Sequence, residues 1–163
     1  MVALDGSRLT LEEVYHVSAA GEQAEVAAQA ITGMQRSRAV IERLAAGDAP
    51  VYAVNTGVGL LADVRVPPEE LEQLQRNVVR SHACGVGPPL AREEVRAMML
   101  IRANVLAKGY SGIRPLVAER LCDLLNHRRE NSGSCHRDCP DHIILRSPRE
   151  NSFHSLLDSC MPA

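Results

Sequence analysis

Three places in this 163-residue chain carry residue types that can do chemistry. The first is Tyr52, followed beyond Ala53-Val54 by Asn55-Thr56-Gly57-Val58-Gly59. Glycine adopts backbone conformations closed to other residues, so Gly57 and Gly59 can lend this loop the flexibility to swing a phenol into a site and out again. The same pattern also suits a tyrosine packed beside an ordinary turn. The second place is Ser81-His82-Ala83-Cys84-Gly85-Val86-Gly87, where an imidazole stands just before another glycine-containing break. It can exchange a hydrogen bond with a ligand, or it can bond the last carbonyls of the helix that it ends. The third is Cys135-His136-Arg137-Asp138-Cys139-Pro140-Asp141-His142, with two thiols and two imidazoles. Zinc takes such ligands tetrahedrally, yet adjacent Cys135 and His136 are hard to direct at one ion, and the separated ligand pairs of zinc modules are missing. The expectation is a chance cluster with no metal.

Helices must position the first two. Thr10-Leu11-Glu12-Glu13 reads as a capping box that opens a short helix to about Ala20. From Glu22 to Ala46 the chain is rich in alanine, with Val26, Ala30, Ile41 and Leu44 spaced among polar residues. That predicts a long helix despite Gly33, ended by Gly47. Val51-Tyr52-Ala53-Val54 reads as a short extended segment and residues 55–59 as a loop. Pro67 and Pro68 start the next helix, with Leu71, Leu74 and Val78 at helical spacing towards Ser81. Val95, Met98, Met99 and Leu106 mark the apolar face of another, which runs to about Ala107 before Gly109 closes it. Pro115 opens a last one along Leu116, Val117, Leu121, Leu124 and Leu125. The fold class is therefore mainly α, with one short extended segment near Val51–Val54. Cys84 and Cys122 fall in this helical body as small apolar core residues. Beyond Asn126 no period persists, so residues 1–126 form the folded domain and residues 127–163 an irregular, disordered tail.

Composition narrows the function classes. A hydrophobic share of 45% and a charged share of 23% are those of a globular chain. A net charge of -2 and only four Phe and Tyr residues, with no Trp, offer little to a phosphate backbone or to bases, so nucleic acid is not an expected partner. No apolar stretch is long enough to span a bilayer, and the basic start of a secretory signal is missing. Five cysteines at irregular spacing do not make a disulfide framework. These features predict a cytoplasmic protein without a membrane segment.

Taken in order, V-Y-A-V-N-T-G-V-G at 51–59, S-H-A-C-G-V-G at 81–87 and L-A-K-G-Y-S-G-I-R at 106–114 resemble the N-terminal region of the aromatic amino-acid ammonia-lyases, most closely histidine ammonia-lyases. The resemblance covers about residues 4 to 126. It implies the N-terminal helical portion of an ammonia-lyase-like fold, from a homotetrameric family that eliminates ammonia from an amino acid, here L-histidine giving urocanate. It also implies that Tyr52 is the base that removes the β-proton and that His82 lies beside the substrate side chain. A free phenol has a pKa near 10, so such a base needs neighbours that favour the phenolate. Relatives acting on phenylalanine or tyrosine typically carry an apolar residue where His82 stands. A phenylalanine or tyrosine ammonia-lyase or an aminomutase is thus the alternative within the class. Gly109-Tyr110-Ser111-Gly112 reads as a tight structural connection in which Arg114 satisfies carbonyls or carboxylates.

The chain departs from the family's pattern at Val58, where phenylalanine is usual. A larger departure concerns the electrophilic methylidene-imidazolone that the family makes from Ala-Ser-Gly, three residues that occur nowhere consecutively here. No cofactor is therefore expected in this chain. The expectation is a truncated or frame-shifted fragment of a histidine ammonia-lyase, inactive alone. A non-enzymatic helical module that associates with full-length lyase subunits is the reading from another class.

Overall fold

The computed structural model describes residues 1–82 and 90–127, with the backbone alone for Val79 and His82. Two short strands and five helices follow in the order β1 Val2–Leu4, α1 Leu11–Ser18, β2 Ala24–Val26, α2 Ala28–Ala45, α3 Leu71–His82, α4 Arg92–Ala107 and α5 Pro115–Asn126. Single 3-10 turns lie at Gly59–Leu61 and Pro68–Glu70. The fold is mainly helical, as the sequence periodicity predicts.

Local chemistry explains the helix starts. The Thr10 hydroxyl accepts from the Glu13 amide at 3.2 Å, and the Glu13 carboxylate accepts from the Thr10 amide at 2.8 Å, so two otherwise unpartnered donors are satisfied reciprocally. At α4 only the carboxylate half of that device operates, with Glu94 accepting from the Ala91 amide at 2.9 Å. Pro115 occupies the first position of α5, where its missing N–H has no intrahelical use.

Two features differ from the sequence reading. Residues 24–26 do not belong to the long alanine-rich helix but pair as β2 with β1 in parallel, Val2 against Ala24 and Leu4 against Val26. Pairing that buries Val2, Leu4, Ala24 and Val26 outweighs a helical propensity worth only a few tenths of a kcal/mol per residue. The outer side of β2 is occupied by Asn126, whose side chain accepts from the Ala24 amide at 2.9 Å and donates to the Ala24 carbonyl at 2.8 Å. The second difference is Val51–Val54, which forms a turn and not an extended segment. The Val51 carbonyl accepts from the amides of Val54 and Asn55 at 3.0 and 3.2 Å. The Asn55 side chain claims the Val51 amide at 2.7 Å, which removes the donor a strand ladder needs.

The core is built around α4. Met99, Leu100 and Ala103 are at most 1% exposed, and they pack with Leu4, Val17, Met34 and Leu125 from the surrounding elements. Among the described residues, residues 35–94 add no apolar side chain to the buried set. Met98, predicted for the buried face of α4, instead lies exposed with Ile101 and Val105 in one stripe. Gly33 continues α2 without a break, and the Gly109 turn comes close beside it. With φ +74, a Cβ on Gly109 would sit 2.9 Å from the Gly33 carbonyl carbon, so only glycine fits there.

One buried cation organises the helix ends. Arg96 of α4 is 3% exposed, and its guanidinium donates to the carbonyls of Ser18 at 3.1 Å, Val17 at 2.9 Å and Leu125 at 3.0 Å. Those carbonyls close α1 and α5, where the last turn of each helix lacks intrahelical donors and carries the negative end of the dipole.

Candidate active site

Tyr52 stands on a polar lobe held together from within. Asn55 and Thr56, each 1% exposed, are its interior. The Asn55 amide accepts from the Val51 N–H at 2.7 Å and donates to the carbonyls of Ala49 at 3.0 Å and Gly47 at 3.4 Å. The Thr56 hydroxyl accepts from the Ala53 N–H at 3.2 Å and donates to the Gly57 carbonyl at 3.0 Å. The returning strand of the lobe is tied by backbone bonds from Val66 to Asn55 at 2.9 Å and from Gly57 to Val64 at 3.0 Å, around an antiparallel bridge between Thr56 and Arg65. Arg65 adds a bond to the Gly47 carbonyl at 3.1 Å and an ion pair with Asp48 at 3.3 Å, both near the surface.

Tyr52 is 63% exposed on this lobe, with no hydrogen-bond partner for its hydroxyl among the described residues. Gly57 is buried, and a Cβ on it would approach the Leu61 Cβ to 2.5 Å, so close packing requires glycine there. Gly59 takes φ +61 with open space around it and starts the 3-10 turn. Val58, Leu60, Leu61 and Val64 form an exposed apolar rim on the same lobe.

His82 closes α3, and its imidazole lies outside the described side chains. Cys84, Gly85 and Gly87 lie outside the described residues, as does the Cys135 to His142 cluster with the rest of residues 128–163. Among the described residues no three His, Cys, Asp or Glu side chains gather as a metal site. Arg114 sits half-buried at the N-cap of α5. Cys122 is 4% exposed, and burial, reinforced by the nearby carboxylates of Asp123, Glu119 and Glu25, pushes its thiol up to about 12. It stays protonated at neutral pH and serves the core as expected, since the thiolate is the reactive form. At the surface, the Ser7 amide and then the Arg8 side chain and amide hold the Asp5 carboxyl well below the usual carboxylate range. Sequence reading missed the parts played by Asn55, Thr56, Arg96 and Asn126.

The sequence pattern of the aromatic amino acid lyases matches residues 9–129, a continuous span that holds Tyr52, His82 and Arg114. The chain belongs to the aromatic amino acid lyase family. It is 49% identical over 125 residues to a histidine ammonia-lyase of Myxococcus xanthus, a match that covers 77% of this chain and 25% of that protein. The chain thus spans about a quarter of the length of the curated relatives it matches. Solved structures of the family agree. A tyrosine aminomutase from Streptomyces globisporus superposes with a TM-score of 0.72 at 38% identity, over 77% of this chain and 24% of that one. A histidine ammonia-lyase from Trypanosoma cruzi gives 0.67 at 36% identity with the same two coverages. The lyase segment therefore has a fold common to relatives named for different substrates. Among its described residues no helix is long and apolar enough to cross a membrane.

Proposed function

We propose that residues 1–126 supply the base-bearing part of a histidine ammonia-lyase site, which eliminates ammonia from L-histidine to give urocanate. The observation that carries this reading is a continuous match at about half identity to histidine ammonia-lyases, which spans the Tyr52 turn and the end of α3 together. In the reaction the C–N bond breaks, ammonia leaves, and a C=C bond forms as Tyr52 takes the β-proton. A base placed within hydrogen-bond reach of that proton contributes roughly 10² to 10⁴-fold. His82 holds the substrate imidazole by a hydrogen bond, which fixes the ring while Cα and Cβ react. The methylidene-imidazolone of the family increases the leaving ability of the amine when present. Its Ala-Ser-Gly source is missing from these 163 residues, so they do not fit as its origin, and no step here runs through it.

The test is a chimera in which residues 1–126 replace the matching segment of the Myxococcus xanthus enzyme. The chimera should form urocanate from histidine, whereas the 163-residue chain alone should release no ammonia. A folded chimera that turns over tyrosine or phenylalanine in preference to histidine would move the assignment to another member of the family.

His82 should decide that preference. In the chimera His82→Leu leaves the polar substrate ring without a partner, a penalty of about 1–3 kcal/mol for histidine but not for phenylalanine. The ratio of kcat/KM for the two substrates should therefore shift towards phenylalanine. An unchanged ratio in an assembled enzyme would remove His82 from substrate choice.

A second reading, association with full-length lyase subunits without chemistry of its own, draws on the exposed Met98, Ile101 and Val105 stripe of α4. Co-purification of the chain with an intact lyase would favour it.

A further inference from the structure

Tyr52 is largely exposed in this chain and the apolar core lies elsewhere, so packing within the described residues does not set the direction of its side chain. What surrounds it in the chain is a pair of clamped amides. The N–H before it, on Val51, is held by the buried Asn55 side chain, and the N–H after it, on Ala53, by the buried Thr56 hydroxyl. Between those clamps Ala53 takes φ +57, the one non-glycine residue at positive φ among the described residues. A left-handed conformation crowds the Cβ of an L-residue against the backbone, and such strain persists only where the surroundings over-determine it. The donor side of the Asn55 amide extends the clamp back to Ala49 and Gly47, which anchors the turn to the end of α2.

We propose that Asn55 and Thr56 are positioning residues: their buried side chains hold the strained Val51–Val54 turn so that its backbone aims the Tyr52 phenol. The proposal rests on the reading of Tyr52 as the base, and it assigns the neighbouring polar pair a share in the same step. A base that must meet a β-carbon proton gains from a rigid backbone mount, because misplacement by about 1 Å can reduce a rate by roughly 10²-fold.

Thr56→Val keeps the shape of the side chain and removes the hydroxyl, whereas Thr56→Ser keeps the hydroxyl. In the full 163-residue chain, NMR should show that Thr56→Val speeds amide exchange at Ala53 by about tenfold or more and takes Ala53 out of positive φ. Thr56→Ser should preserve both. In the chimera, Thr56→Val should lower kcat by roughly 10 to 100-fold with KM little changed, and Thr56→Ser should restore most of it. An unperturbed Ala53 in the Thr56→Val chain overturns the clamp, whether or not that chimera assembles. A near-normal kcat for Thr56→Val, alongside a collapsed kcat for Tyr52→Phe, overturns positioning and leaves the base assignment intact. A near-normal kcat for Tyr52→Phe defeats the base assignment itself, and with it the catalytic meaning of the clamp.

Discussion

Arg96→Met should destabilise the helical core by about 3–5 kcal/mol, a large part of the roughly 5–15 kcal/mol that holds a domain together. Methionine fills much of the arginine stem's volume, so the loss isolates the guanidinium and not a cavity. Three carbonyls, those of Val17, Ser18 and Leu125, lose a charged donor in a place where the side chain they met was 3% exposed. Stranded carbonyls at two helix ends also lose the positive charge that their dipoles favour. Arg96→Lys should recover only part of the difference, since one ammonium cannot match a planar fork directed at three acceptors. Urea unfolding followed by circular dichroism gives the measurement. A midpoint for Arg96→Met close to that of the parent chain, at equal slope, would show that the three bonds contribute little net stability.

Tyr52→Phe in the chimera should reduce kcat by roughly 10² to 10⁴-fold, with KM far less affected. The change deletes one oxygen from a side chain outside the apolar core of this segment and keeps the ring, so the folding of residues 1–126 should not respond. That separation makes the result readable as chemistry. Steady-state urocanate formation, with assembly checked by light scattering, supplies the test. Turnover near that of the unsubstituted chimera would reduce Tyr52 to a surface residue of the turn.

What could be read from the residues divides along the reach of the forces involved. The Thr10 and Glu13 capping box, Pro115 at the start of α5 and Gly109 after α4 are decided within a few residues, and all stand as predicted. β1 and β2 are three residues long, too short for a period of two to register, and their partners lie far apart in sequence. Val51–Val54 carries the residue types of a strand, but the competing side chain of Asn55 comes after it and ties the segment into a turn. By type Arg96 reads as a solvated charge among apolar neighbours. Only the convergence of the ends of α1 and α5 on α4 makes it a buried one. The candidate site follows the same rule. Tyr52 and His82 stand out by motif, whereas the work of Asn55 and Thr56 is visible only once the turn is folded around them.

The arrangement of the core also governs how the chain reaches its fold. Among the described residues the buried apolar side chains come from residues 2–34 and 95–125, so α1 and α2 meet α4 across the whole intervening stretch. Collapse must therefore close a long loop before most of the apolar reward arrives, which predicts slow folding for a helical protein of this size, with a high contact order. The entropy of that closure grows only logarithmically, by about 0.6 kcal/mol for each doubling of the loop. An insertion at an exposed point of the stretch between α2 and α4 should thus have little thermodynamic effect on the body that supports it.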